Sequence, residues 1–242
     1  MNLGAIVRSR LHVWLKFVIA CCIATAASET PAQMLWYGGD ADASGALFNN
    51  TVTLDHSSRE IMLDDFVVPG AVRWHVTAVF SNNVAGNPFS VAPFSQAEWS
   101  IRTGIASGNP GQVLYSGVSS VSITPTGRFG GAEYTALVSG LSIDLDPGVY
   151  FLSVSPITAT IPNYYVGLSN GANSVGTTGP NSAFQEGHFV PPGLPGTASM
   201  GVIGAASSTN ATAVPTLSTI GYALLAVALL GIGVLNKYKS RS

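Results

Sequence analysis

Apolar and polar residues alternate along most of the middle of the chain, and no long stretch there has a helical period. The runs have the length of strands, and turn-favouring Pro, Gly, Asn and Ser residues separate them. They predict strands at residues 61–68, 74–80, 97–103, 113–116, 118–124, 133–138, 149–154, 164–168 and 183–190. Short strands at this spacing predict an all-β ectodomain, an antiparallel β-sandwich or a jelly-roll-like fold.

Local details agree with antiparallel strands. Pro147 and Gly148 predict a turn, because Pro fixes φ and Gly accepts a positive φ. In the run 97–103, Trp99 and Ile101 share one face of the predicted strand, which we expect to be the core face.

The first 32 residues have the organisation of a secretory signal peptide. Arg8 and Arg10 precede a mostly apolar stretch, and a group of small residues follows it. Such a segment is removed from the mature protein, and an uncleaved signal anchor is the alternative. Cys21 and Cys22 are the chain's two cysteines, so the mature protein is predicted to have no disulfide and no cysteine-bound metal.

The last 29 residues, 214–242, combine a polar start, an apolar run and a basic end. Residues 217–235 carry no charge, and as a helix they would rise about 28 Å, which suffices to cross a hydrocarbon core of about 30 Å. The basic end, residues 236–242, contains Lys237, Lys239 and Arg241. Basic residues beside a span stay in the cytoplasm, so the preceding chain is predicted to lie outside it.

The start of this tail carries a short motif made of Val214, Pro215, Thr216, Leu217, Ser218 and Gly221. Together with the apolar run and the basic end, it resembles the IPTL-CTERM sorting signals of Gram-negative bacteria. The family pattern is Ile-Pro-Thr-Leu-Ser-x-Trp-Gly, so Val214 takes the place of Ile and Ile220 that of Trp. The resemblance covers only residues 214–242.

This resemblance implies a route of export. The tail of such proteins anchors them transiently in the inner membrane, where an exosortase-type transpeptidase recognises the Pro-Thr-Leu region. The protein then reaches the cell surface or the extracellular matrix. A looser resemblance, carried by segments such as Leu-Asp-Pro-Gly-Val-Tyr-Phe-Leu-Ser, is to secreted bacterial β-sandwich proteins, and it implies extracellular placement.

Composition divides the chain between the predicted signal peptide and the tail into two segments. The predicted ectodomain covers residues 33–190, and residues 191–213, rich in Pro, Gly and Ser, predict a linker. An alternative for residues 200–206 is an edge strand. Residues 33–213 carry four arginines, no lysine and eleven carboxylates, a net charge of −7. An acidic domain without a basic cluster argues against binding to nucleic acid.

Catalytic chemistry needs a nucleophile with a base, paired carboxylates or a metal. His56, His75 and His188 belong to no hydrolase motif, and His75 is predicted to face solvent. Asp64 and Asp65 are adjacent, so they face opposite sides of a strand. We expect a strand-edge position in which one of them bonds backbone N–H groups or Arg59.

Two further acidic pairs have spacings that suit known chemistry. Asp144 and Asp146 share a strand face at a separation that would suit an inverting glycosidase, but we expect them to lie on a solvated face instead. Asp40 and Asp42 place oxygens at alternate positions, as a calcium loop would, but the bidentate Glu of an EF-hand is missing. A weak Ca²⁺ site is the alternative to a domain without cofactors.

Aromatic side chains are the remaining candidates for binding. Trp74 and Trp99 alternate with apolar residues and are predicted to be core. Trp36 and Tyr37 are expected to be exposed near the mature N-terminus. The sequence favours a surface or matrix protein with a structural or adhesive role and no catalysis. A module that binds extracellular polysaccharide is the second hypothesis, and a secreted hydrolase is the third.

Overall fold

The structure is a computed structural model that describes residues 31–42, 45–86, 94–106, 108–158, 164–180, 184–185 and 196–209. Among these residues it has sixteen strands, one short 3₁₀ turn at Phe129–Gly131 and no α-helix. The strands are β1 (Gln33–Tyr37), β2 (Leu47–Asn49), β3 (Thr51–Thr53), β4 (Arg59–Glu60), β5 (Met62–Val68), β6 (Val72–Ala85), β7 (Gln96–Thr103), β8 (Gln112–Ser120), β9 (Ser122–Pro125), β10 (Glu133–Leu145), β11 (Gly148–Thr158), β12 (Tyr164–Ser169), β13 (Thr177–Thr178), β14 (Phe184–Gln185), β15 (Thr197–Ala198) and β16 (Met200–Ser208). The predicted all-β class is confirmed.

The first sheet is built around β6. It has the order β1-β16-β6-β10-β9, and β12 pairs with the end of β6, with β2 and with β15. All these pairs are antiparallel. The predicted strand at 74–80 is therefore the middle of a longer element of 14 residues, whose two neighbours, β10 and β16, leave it no free edge over most of its length.

The second sheet is built around β11. It has the order β13-β5-β11-β3-β4. β7 pairs with β11 on the side away from β5, and β8 pairs with the far side of β7. The pair of β11 with β3 is parallel, whereas the other pairs in this sheet are antiparallel. Residues 146–147 connect β10 to β11, but Gly148 already belongs to β11 and has no positive φ, so the predicted Pro147-Gly148 turn is only partly present.

The two sheets share a hydrophobic core, an arrangement consistent with a sandwich. Phe66 of the second sheet stacks on Trp36 and Trp74 of the first, with ring centroids 5.4 Å and 5.7 Å apart. Trp99 and Ile101 also belong to this core, so the predicted core roles of Trp74, Trp99 and Ile101 are confirmed. Three aromatic side chains from three strands thus fix how the sheets face each other.

The linker prediction for residues 191–213 is wrong over β15 and β16. β16 lies inside the first sheet, between β1 and β6, so it is not an edge strand either. Its glycines serve close packing rather than flexibility, because a Cβ on Gly201 would lie 2.3 Å from the Phe80 ring and one on Gly204 would lie 2.1 Å from the His75 carbonyl oxygen. The domain therefore continues to Ser208, and the rest of the predicted linker outside 196–209 lies outside the described residues.

Candidate functional site

A groove of about 360 Å³ crosses the outer face of the first sheet. We call it the sheet groove, and it is lined by Met34, Tyr37, Phe80, Asn82, Thr126, Arg128, Thr135, Leu137 and Ile203. Apolar side chains from β1, β6, β10 and β16 form most of its wall, and the polar side chains converge around Tyr37. Such a concave, mostly apolar surface with a few convergent polar groups is typical of ligand-binding sites.

A β-bulge in β1 places Tyr37 in the groove. The register shifts between Met34 and Trp36, so Leu35 and Trp36 both turn to the core, and Met34 and Tyr37 lie on the outer face. Bulges redirect side chains in this way. The expectation that Trp36 is exposed is wrong, because its side chain is fully buried. Tyr37 is half-buried and packs against Phe80 at a centroid distance of 5.6 Å.

Hydrogen bonds hold the polar side of the groove in one arrangement. The Tyr37 hydroxyl donates to Asp40 Oδ1 at 2.6 Å, and Asn82 Nδ2 donates to the Tyr37 oxygen at 3.1 Å. Thr135 Oγ1 donates to Asn82 Oδ1 at 2.6 Å, and Asn82 Nδ2 also donates to Ser199 Oγ at 2.9 Å. These residues come from β1, β6, β10 and the loops beside them, so the network joins distant parts of the chain.

Arg128 lies between two carboxylates at the end of the groove. Its Nη1 pairs with Asp40, and its Nε donates to Glu133 Oε2 at 2.5 Å. Glu133 is fully buried and also accepts a hydrogen bond from Thr126 Oγ1 at 2.5 Å. One cation between two carboxylates leaves this end of the groove with a net negative charge when all three groups are ionised.

The network changes the acidity of its members. Burial opposes the ionisation of Asp40, but hydrogen bonds from Tyr37 and Asn173 and the charge of Arg128 outweigh it and lower the pKa of Asp40. Burial and the hydrogen bond to Asp40 raise the pKa of Tyr37 to about 12. At neutral pH Tyr37 is therefore a neutral donor and Asp40 an ionised acceptor, which stabilises their bond.

The predicted calcium ligands do not form an ion site in the part of the chain that the structure describes. There, no group of three or more His, Cys, Asp or Glu side chains could hold a metal ion. The Asp40 oxygens accept from Tyr37, Arg128 and Asn173 instead. A guanidinium beside this carboxylate disfavours a bound cation by repulsion.

The histidines lie apart on the domain. His75 Nδ1 is 2.8 Å from Asp144 Oδ1 on the first sheet, where both side chains are exposed, as predicted for His75. His56 Nδ1 is 3.5 Å from Glu98 Oε2 on the second sheet. Asp146, the second carboxylate of the pair that we expected on a solvated face, is exposed and is bound by exposed Arg73. His188 lies outside the described residues.

Asp64 and Asp65 occupy the centre of the second sheet. They face opposite sides of β5 as predicted, but the expected edge position is wrong, because β11 lies on one side of β5 and β13 and β14 on the other. Both are buried. Asp64 Oδ2 accepts the Ala198 N–H at 2.7 Å, which links the second sheet to β15 of the first. Burial and the charge of Asp65 raise the pKa of Asp64 well above its usual value.

The predicted sorting residues lie outside the described residues. They are Val214, Pro215, Thr216, Leu217, Ser218 and Gly221, together with Lys237, Lys239 and Arg241 and the predicted span 217–235. The predicted signal peptide, 1–32, falls outside them up to residue 30. Within the described ranges, no helix is long and apolar enough to cross a membrane.

Comparison of the chain with family models, with curated proteins and with solved structures finds no match. The site is thus defined by its geometry. Sequence reasoning named Tyr37 and Asp40 but missed Asn82, Arg128 and Glu133. The one available signal was that Arg128 is among only four arginines of residues 33–213, and a rare cation among many carboxylates is expected to be paired.

Proposed function

We propose that this chain is an exported surface or matrix protein whose antiparallel β-sandwich ectodomain has a structural or adhesive role without catalysis. The observation that carries the proposal is the order of segments along the chain. A basic and apolar start precedes a single cysteine-free acidic domain, and a Pro-Thr-Leu motif, an apolar run and a basic end follow it. Each segment has a separate physical role in export.

The tail would act in two steps. Residues 217–235 hold the protein in the inner membrane with the domain outside the cytoplasm, and an exosortase-type transpeptidase then acts near Pro215 and Thr216. β16, the last described strand, ends at Ser208, so residues 209–213 separate it from Val214. Removal of the tail would release the domain to the cell surface or the extracellular matrix.

The intact mass of the mature protein from fractionated native cells tests this route. Loss of the chain after roughly Thr216, with the protein found outside the membrane, is the expected result. Pro215→Ala should retain the full tail in the membrane fraction, and Ser142→Ala, an exposed change within the domain, is the matched control. A wild-type protein that keeps its full tail in the membrane would overturn the sorting proposal.

A second candidate function, binding of an extracellular polysaccharide, is supported by Tyr37 in the sheet groove. Tyr37 and exposed Met34 offer apolar surface on which the apolar face of a sugar ring can pack, and the buried Phe80 ring supports Tyr37 from below. Asn82, Thr126 and Thr135 place amide and hydroxyl groups beside it. Because the charged end of the groove has a net negative charge when Asp40, Arg128 and Glu133 are ionised, a neutral sugar fits better than an acidic one.

This second candidate is tested with neutral α- and β-glucans in affinity electrophoresis of the purified protein. Tyr37→Ala should abolish retardation, whereas Tyr37→Phe keeps the ring and should lose only part of it. Val149→Ala, an exposed change on the second sheet, should leave retardation unchanged. Equal retardation of wild type and a folded Tyr37→Ala variant would exclude the sheet groove as a glycan site.

A further inference from the structure

The polar side chains of the sheet groove donate their hydrogens to each other and to neighbouring residues. Asn82 Nδ2 has two hydrogens, and it donates to the Tyr37 oxygen at 3.1 Å and to Ser199 Oγ at 2.9 Å. The Tyr37 hydroxyl donates to Asp40 Oδ1 and the Thr135 hydroxyl donates to Asn82 Oδ1, at 2.6 Å in each case. In this part of the groove, the described side chains therefore have no donor left for a ligand.

The charged end of the groove is occupied in the same way. The Thr126 hydroxyl donates to Glu133 Oε2 at 2.5 Å, and the Arg128 guanidinium is paired with Asp40 and Glu133. The third nitrogen of this guanidinium, Nη2, is shielded from solvent. A ligand hydroxyl can donate to the lone pairs that remain, but these described side chains offer it no uncommitted hydroxyl or amide hydrogen.

The rest of the groove wall is aliphatic. Met34 of β1 lies opposite Ile203 of β16 in the sheet register, and Leu137 of β10 lies opposite the buried Phe80 of β6. Met34 is exposed, and Leu137 and Ile203 are half-buried. These three side chains therefore present accessible CH₂ and CH₃ groups on the outer face of the sheet, in the same groove as the Tyr37 ring.

This division of the groove decides which ligand groups it can accept. A hydroxyl pressed against the aliphatic side chains loses its water and gains no donor in return, which is unfavourable. A methyl group at the same place is removed from water with a gain in free energy. The net negative charge at the other end of the groove disfavours a sugar that carries a carboxylate.

We propose that the sheet groove takes neutral sugar residues in which a methyl group replaces a hydroxyl, of which the 6-deoxyhexoses are the simplest class. One face of the sugar ring packs on Tyr37. The methyl group lies against Met34, Leu137 and Ile203, which line the groove. The remaining hydroxyls stay in water or donate to lone pairs such as those of Thr135. This inference rests on the second candidate function, glycan binding in the sheet groove, and names the class of sugar within it.

Matched pairs of sugars that differ only at C6 test the proposal. L-Rhamnose and L-mannose form one pair, and L-fucose and L-galactose form the other; the first sugar of each pair carries CH₃ where the second carries CH₂OH. Ligand-observed NMR titration of the full chain in detergent-free lipid nanodiscs, with empty nanodiscs as the blank, gives the dissociation constants. At least one 6-deoxy sugar should bind at least about fivefold more tightly than its partner, and saturation transfer should be strongest at its C6 methyl protons.

A hydroxyl added to the groove wall should cancel this preference. Ile203→Thr keeps a β-branched side chain but adds a donor and an acceptor, so the ratio of the two dissociation constants should fall towards one. Leu137→Thr makes the same kind of change on another strand, and it replaces Ile203→Thr if circular dichroism shows that the first variant is unfolded. Val149→Thr, at an exposed position of the second sheet, is the matched control and should leave the ratio unchanged.

Equal binding within both pairs, tighter binding of the sugars with a C6 hydroxyl, or a preference that neither wall variant reduces would each overturn the proposal. Retardation by neutral glucans in affinity electrophoresis, without binding of either 6-deoxy sugar, would also overturn it but would leave the groove as a glycan site. If neither the glucans nor these four sugars bind, the second candidate function fails, and this inference fails with it.

Discussion

Gly201 gives the sharpest test of how β16 belongs to the domain. The residue lies on β16 opposite Phe80 of β6, and a Cβ at this position would come within 2.3 Å and 2.4 Å of two Phe80 ring carbons and 2.9 Å of the Trp36 carbonyl oxygen. Heavy atoms do not approach so closely, so Gly201→Ala must displace the Phe80 ring or the strand. Phe80 is almost fully buried, and the ring cannot move without a cost.

Overpacking of this kind costs about 1–3 kcal/mol. For a domain of this size, that loss lowers the melting temperature by about 2–12 °C. Urea unfolding of the purified protein, followed by the fluorescence of its buried tryptophans, measures the change. Gly70→Ala is the matched control, because a Cβ on Gly70 meets nothing within 4 Å, and it should change the free energy of unfolding by less than about 0.5 kcal/mol.

A double-mutant cycle assigns the cost to the ring. Phe80→Leu removes the two ring carbons that the new methyl group meets, so Gly201→Ala should destabilise that background much less than the wild type. A coupling free energy above about 0.5 kcal/mol in this direction supports the contact. If Gly201→Ala costs less than about 0.5 kcal/mol in the wild type, β16 is not packed on β6 as described.

Three other expected results follow from the core and the tail. The pKa of Asp64 is raised in the fold, so the folded state holds a proton that the unfolded chain loses above about pH 4. The free energy of unfolding should therefore fall as pH rises above that value. The difference between the urea midpoints at pH 4.5 and pH 8 should be smaller in Asp64→Asn than in the wild type. Glu133→Gln removes a buried partner of Arg128 and should lower the free energy of unfolding in urea by about 2–4 kcal/mol. The control Asp146→Asn changes an exposed ion pair and should lower it by less than about 0.5 kcal/mol. Ile220→Trp restores the aromatic residue of the sorting pattern and should raise the processed fraction in intact-mass spectra of native cells; an unchanged fraction would show that this position does not limit processing.

Alternation along the chain was enough to predict most strands, because a strand that is buried on one face repeats every two residues. It was insufficient where the backbone leaves that repeat. The bulge in β1 turns Leu35 and Trp36 to the same side, so Trp36 was wrongly expected to be exposed. In β16, Gly201 and Gly204 gave the composition of a linker, although their missing side chains are what allow β6 to approach.

The sheet groove could not be predicted from local sequence. Met34 and Ile203 both line it and are separated by most of the chain. Arg128, Asp40 and Glu133 meet only because β9, β10 and the loop after β1 converge at one end of the first sheet. Pairing between distant strands decides these contacts, and the alternation within a strand does not indicate which other strand it pairs with.

The position of β16 also bears on the proposed processing of the tail. β1, the first strand described, has β16 as its only strand partner in the described sheets, so the first sheet is complete only when the chain up to Ser208 is in place. Closing such a long-range pair is slow compared with local structure. Cleavage near Pro215 and Thr216 would fall after this last strand and leave every described strand in the released protein. The same cut placed before Met200 would remove the partner of β1 and uncover one side of β6, so the proposed sorting motif lies on the side of β16 where its removal is compatible with a folded product.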